Sequence, residues 1–378
     1  MSTVLVLTVD SLRLDQFRKR LFPETWSTFE RDFVQFETAY SHGVATPFSM
    51  PGLLAGTIPA GDGAVPADQS TLAERLDTDF AYGFLNNVYL TADRGFGSGF
   101  DVFSSRIPLD RSGARLASAE DRPAQRGDVV TAALRDCIDT HEDQFLWGHY
   151  MDAHFPFQPE TAVGFDDDLD EERFDHLMDR YRRNERVPDV ETVRRLHAGN
   201  VRYIDRQFAR LFRQLRRSEQ YHDSLIVVTA DHGELFGTDG QYGHPWHGVP
   251  RDELIRVPLL VKLPEYRSGG TCVGDLVDHR RLHKALPAIH RRPGEITMDE
   301  LRTEQTTSVS NTAVRVTTPT GTASRTRTNE VDVEGDVDSA ILDRLEERAI
   351  PDVPVLDPET GTRSASIEEQ LRHLGYLE

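Results

Sequence analysis

The chain has 378 residues, enough for one large domain with an appendage or for two domains. Its 38% apolar content fills a core and excludes a wholly disordered chain, and its formal charge of −20 disfavours nucleic acid or an anionic membrane as partner. No run approaches the roughly 20 apolar residues that span a bilayer, so no integral membrane segment is expected. The N-terminus lacks the basic flank and cleavage pattern of a signal peptide, and its short apolar run is better read as a core strand. Cys137 and Cys272 are too few for a disulfide scaffold and are expected to be buried small hydrophobes. The basic side is almost all Arg, with only Lys19, Lys262 and Lys284 as lysines. Acid excess with so little Lys resembles proteins of salt-accumulating halophilic archaea, where molar salt screens self-repulsion. That composition predicts a cytoplasmic, high-salt setting.

In chain order, the apolar run Val4–Val9 predicts a buried strand that ends on Asp10, and residues 13–36 predict several short helical or turn pieces. Within the Gly- and Pro-punctuated residues 41–59, Thr46 is expected as an N-cap with Pro47 at the first helical position. Residues 79–84 and 145–148 read as short strands, 95–99 as a Gly/Phe-rich loop and 129–139 as a helix. The acid-dense residues 166–172 read as a solvated loop and helix start, opening an excursion to about residue 190. Residues 192–217 place Val193, Leu196, Val201, Ile204, Phe208, Leu211 and Leu215 near one helical face, and Asp205 fits a packing or capping role there. A strand over 224–229 follows and leads directly to Asp231. Residues 256–261 read as another strand, in which Pro258 argues against a fully paired central position.

Composition shifts after about Pro293. Residues 306–327 read as a small β-hairpin unit turning at 318–321, and 337–348 as a helix. Residues 351–362 read as a loop, and 367–374 as a short helix capped by Gly375. The expected division is residues 1–295 for a catalytic domain and 296–378 for a small C-terminal subdomain.

Five segments carry chemistry. Asp10 and the pair Asp231-His232 each follow a strand-like run, and in open α/β sheets ligands collect beyond the carboxyl ends of strands. Two carboxylates and an imidazole there make a hard-to-borderline metal site. A hydroxyl at Thr46, near a helix N-terminus that favours an anionic ester, becomes a nucleophile if a metal lowers its pKa. His149, Asp152 and His154 follow another strand, and His244 sits in a Gly-rich loop after Gly233, which permits a tight departure from the strand. Asp10 alone is an ordinary turn start and Thr46 alone an ordinary cap; the joint occurrence points to a site.

These segments resemble the sulfatase family within the alkaline phosphatase superfamily, from Val4 to about Leu263. Val9-Asp10-Ser11-Leu12-Arg13 resembles the family's first metal-binding turn, and Thr46 through Gly56 its nucleophile helix, with Thr46 in the nucleophile position. Asp152-Ala153-His154-Phe155-Pro156-Phe157 resembles a substrate-facing histidine segment. Asp231-His232-Gly233-Glu234, Gly243-His244 and Arg256-Val257-Pro258-Leu259 resemble the second metal segment and the strand behind it. The resemblance implies an α/β fold, an alkaline-phosphatase-like three-layer α/β/α sandwich with a large mixed, mostly parallel sheet and a small C-terminal α+β subdomain. It departs in three places. Sulfatases carry a Cys or Ser, oxidised to formylglycine, where this chain has Thr46; they carry an Arg where it has Met50; and their first turn has paired carboxylates where Asp10 is followed by Ser11. Asp10, Thr46, Asp231 and His232 instead resemble the single-metal set of the family's lipid-linked phosphoglycerol transferases.

The expectation is therefore one divalent ion (Mn²⁺, Mg²⁺ or Ca²⁺) on Asp10, Thr46, Asp231 and His232. Thr46 attacks a phosphate ester, His154 or His244 protonates the leaving alcohol or stabilises the transferring group, and His149 and Asp152 act as orienters. The substrate is a small-molecule, glycan or lipid-linked ester. Two other readings stay open: a sulfatase working without formylglycine, and a non-catalytic binding or scaffolding protein with a degenerate site.

Overall fold

The structure is a computed structural model and describes residues 3–59, 61–105, 126–166, 169–292 and 298–353. In chain order its strands and longer helices are β1 (Val4–Val9), α1 (Trp26–Asp32), β2 (Val34–Tyr40), α2 (Thr46–Ala55), α3 (Leu72–Leu76), β3 (Phe80–Phe84) and β4 (Val102–Ser104). Then follow α4 (Gly127–Ile138), β5 (Gln144–Tyr150), α5 (Glu171–Arg182), α6 (Val190–Arg217), β6 (Leu225–Ala230), β7 (Leu235–Thr238), β8 (Gln241–Gly243), α7 (Asp252–Ile255) and β9 (Arg256–Lys262). The last are β10 (Cys272–Asp278), α8 (Arg280–Arg291), β11 (Thr306–Val309), β12 (Ala313–Thr317), β13 (Gly321–Thr326), β14 (Val331–Gly335) and α9 (Ser339–Glu347).

Eight strands form one sheet in the order β10-β2-β9-β6-β1-β5-β3-β4. Only β9 runs antiparallel to its neighbours. Every residue of β1 is buried, and alternate side chains enter different cores. Val4 and Val6 join Met50, Leu53 and Leu54 of α2 and Leu282 and Leu286 of α8. Leu5, Leu7 and Val9 join Leu134 of α4 and Ile204, Phe208 and Leu211 of α6. Burial on both faces accounts for the continuous apolar runs, each large side chain contributing roughly 1.5–3 kcal/mol. The result is the expected three-layer sandwich.

A four-stranded antiparallel sheet, β11-β12-β13-β14, and α9 make a smaller C-terminal unit. Its apolar side, with Val309, Val314 and Val316, packs on Phe48 of α2 and on Trp246.

Several expectations need correction. Residues 34–36 begin β2 instead of a helical piece, and the region read as one hairpin, 306–327, holds three strands, with β14 just beyond it completing the sheet. The reading of Pro258 holds: β9 is an interior strand, but its pairing with β6 stops at Leu259 and its register with β2 shifts between Phe36 and Ala39, so the strand is not fully paired at the proline. Cys137 is buried, but Cys272 is exposed. Asp205 takes the capping role, accepting from the backbone N–H groups of Glu24 and Thr25 at 2.8 and 3.0 Å at the start of α1. Of the loop expected over 351–362 only 351–353 are among the described residues, and the helix expected over 367–374 lies outside them, as does the middle of the acidic run at 167–168.

Candidate metal centre

Strand register builds the site. β6, β1 and β5 run parallel side by side, with Thr8 opposite both Thr229 and His149. Val4, Val6, Phe145, Trp147, Leu225 and Val227 all face α2. The same two-residue alternation sends Asp10, His149 and Asp231 to that face. One ligand atom from each of these three lies within 4.8 Å of the other two, and all three residues are fully buried.

Thr46 completes the group. It is the first residue of α2, after Ala45 as N-cap, so its hydroxyl does not cap the helix as expected. The oxygen instead lies 2.9 Å from Asp231 Oδ2 and 3.1 Å from Asp10 Oδ2. Ser11, held at φ 60°, donates its N–H to Asp231 Oδ1 at 3.3 Å and its hydroxyl to Asp10 Oδ1 at 3.1 Å. A left-handed non-glycine residue costs roughly 1–3 kcal/mol, which the two carboxylate contacts offset. Met50, one turn after Thr46, lies in the hydrophobic core, so that turn brings no cation to the site.

His232 tests whether a cation fits. Its Nδ1 lies 2.7 Å from the Gly233 carbonyl, which only an N–H can satisfy, so Nε2 carries the lone pair. That Nε2 sits 3.4 Å from Asp10 Oδ1 and 3.6 Å from Asp231 Oδ2, buried and without a hydrogen-bond partner. Burial pushes the imidazole down to about 4, so a proton does not fill the gap at neutral pH. Burial and the Asp10 charge push Asp231 up to about 7. Burial alone would raise Asp10 too, but His154, His149 and His232 outweigh it and hold its carboxyl well below the usual range. A lone pair and two converging carboxylates form a donor set that a divalent ion satisfies. Gly233 is needed here because any Cβ would lie 2.0 Å from the Glu253 carbonyl oxygen.

The other expected residues fall in two places. His154 and His244 have ring centroids 5.0 Å apart, and His244 lies 4.6 Å from the His232 ring. Burial lowers His154 to about 4. Burial would also lower His244, but the charge and hydrogen bond of Glu234, 3.0 Å from its Nδ1, raise it instead. Asp152 does not join the group: its carboxylate accepts the Gly127 N–H at 3.1 Å at the start of α4, and burial pushes it up to about 7. His149 lies within β5 instead of after it, its Nδ1 2.8 Å from Thr8 Oγ1 and its Nε2 3.3 Å from Asp10 Oδ2. It therefore stands with the ligands.

Three contributors were given no role in the sequence reading. Asn87, after β3, donates to Asp10 Oδ2 at 3.1 Å. Glu234 is fully buried behind His244. Tyr181, at the end of α5 in the excursion that runs to about residue 190, donates to Glu234 Oε1 at 2.9 Å. The periodic Leu177, Met178 and Tyr181, all buried, were the available signal.

Comparisons with known proteins agree with this architecture. The phosphonate monoester hydrolase of Agrobacterium radiobacter superimposes with a TM-score of 0.66 at 14% identity, over 99% of this chain and 95% of that one. The phosphonate monoester hydrolase from Silicibacter pomeroyi gives 0.62 at 16%, over 92% and 93%. A multifunctional alkaline phosphatase superfamily protein of Trinickia caryophylli is 31% identical over 74 residues, 20% of this chain and only 14% of that protein's length. The family model described as Sulfatase matches residues 2–269. The chain belongs to the sulfatase family.

Proposed function

We propose that this protein is a metal-dependent hydrolase or transferase of phosphate esters that uses Thr46 as its nucleophile. The observation that carries the reading is the Thr46 hydroxyl, buried at a helix start and within 3.1 Å of both carboxylates of the ligand group. Asp10, Asp231 and His232 would hold the ion, with His149 beside them. Imidazole in the set favours Mn²⁺ over Mg²⁺ or Ca²⁺. When bound, the ion supplies Lewis-acid polarisation of the ester and a lowered pKa at the hydroxyl.

The chain's own groups do the rest. Thr46 Oγ1 forms a bond to phosphorus as the bond to the leaving alcohol breaks, and its proton leaves along the hydrogen bond to Asp231. His244, oriented through Nδ1 by Glu234, gives a proton to the departing oxygen from its other nitrogen. His154 lines the same side and stabilises the transferring group. Water, or an acceptor alcohol, then attacks the phosphothreonine and restores the hydroxyl. Family membership supports sulfuric esters as a second substrate class, without formylglycine, since a threonine does not yield that aldehyde. The charge of −20 supports a high-salt working environment.

The test is hydrolysis of matched nitrophenyl phosphate, phosphodiester and sulfate at molar KCl with Mn²⁺, Mg²⁺ or Ca²⁺. Metal-dependent phosphoester turnover that falls at least roughly 10³-fold in Thr46→Ala is expected. Sulfate turnover that survives the substitution removes Thr46 as nucleophile.

A further inference from the structure

The first turn of α8, the end of α2 and Arg75 of α3 border a cavity of about 680 Å³. Four cations line it: Arg75, Arg280, Arg281 and Lys284. The acid among its lining residues is Asp278, and it is already engaged. Its Oδ1 is 2.5 Å from His42 Nε2, and its Oδ2 accepts from Arg280 at 3.1 Å. Arg75, Arg281 and Lys284 have no ion-pair partner among the described residues, and the Arg75 Nε is buried without a hydrogen bond.

This concentration runs against both the chain and the helix. Acids outnumber basic residues 63 to 43 overall, and elsewhere surface arginines meet carboxylates, as in Arg182 with Asp179 and Arg302 with Asp299. Cations in the first turn of α8 also oppose the helix dipole, at a cost of a few tenths of a kcal/mol each. Neither helix stability nor solubility explains them.

We propose that this cavity binds a small ligand carrying two or more phosphate or sulfate groups. Planar guanidinium forks and an ammonium suit tetrahedral oxyanions, and the side-chain amides of Gln69 and Gln305 add neutral donors. The volume exceeds what one such anion fills and falls in the range of small-molecule sites. It is distinct from the metal centre, because Thr46 begins α2 and the cavity lies against Ala55 and Gly56 at its other end. Ten helical residues separate the two by roughly 15 Å.

Calorimetric titration of the full chain with orthophosphate, tripolyphosphate and a disulfated disaccharide tests this. A buffer near 0.1 M salt screens the remote acidic surface but not contacts within the cavity. Saturable binding is expected for a multiply charged probe, roughly tenfold or more weaker in Arg281→Gln/Lys284→Gln, whose side chains are exposed, and unchanged in Thr46→Ala. Arg75→Gln should weaken binding in the same direction. Tighter tripolyphosphate assigns a polyphosphate ligand; a tighter disaccharide assigns a sulfated sugar. No saturable binding by the wild type, or equal affinity in the double variant, overturns the proposal.

Discussion

Thr46 and His232 define the centre through what their atoms face. The hydroxyl touches two carboxylates, and the bare Nε2 has nothing to accept. Glu234 lies one step back, 3.0 Å from His244 Nδ1, and the proposed function has it act through that imidazole. Glu234→Gln keeps the side-chain volume and removes the charge that favours the protonated imidazole, so kcat should fall by roughly 10–100-fold with little change in KM. An unchanged kcat, or a KM effect alone, would show that Glu234 serves packing only. Asp10, Asp231, His232 and Thr46 were legible because each terminates or begins a patterned element. The ligand position of His149 and the role of Asn87 were not, since both depend on which strands pair and in what register.

At the scale of elements, β10 and α8 fasten α2 through His42 and Asp278. His42 follows β2 and packs against Gly52 of α2, where a Cβ would lie 2.6 Å from the ring. Burial alone would raise Asp278, but His42 and Arg280 hold it well below the usual carboxylate range. A depressed carboxylate stabilises the fold above its unfolded pKa near 4 and loses that contribution as pH falls below it. Asp278→Asn should therefore cost about 3–5 kcal/mol at pH 7, and the gap from wild type should narrow in acid. Denaturant unfolding at pH 7 and pH 3 checks this; a gap that widens in acid would contradict the pairing. Two elements were hidden from the sequence for physical reasons. β2 carries Gln35, Glu37 and Thr38 between its buried residues, and β14 is exposed throughout, so neither shows a full apolar run.

For the whole molecule, the sheet brings together residues from positions 10, 149 and 231, α2 adds Thr46, and the C-terminal unit packs on that helix. The sandwich was legible through the family resemblance that the strand-end motifs at Asp10 and Asp231 carry, whereas the fourfold C-terminal sheet was not, because the short Thr- and Ser-rich strands β11 to β13 read as one hairpin and the exposed β14 gave no apolar signal. Among the described residues no helix is long and apolar enough to cross a membrane. Under the proposed function, Thr46 is a covalent carrier. Its most direct test is rapid acid quenching of the Mn²⁺-loaded protein during nitrophenyl phosphate turnover, followed by peptide mass mapping. A single phosphoryl group on the peptide containing Thr46, absent after chelation, is the predicted result. Turnover with no adduct, and equal turnover by Thr46→Ala, would contradict it.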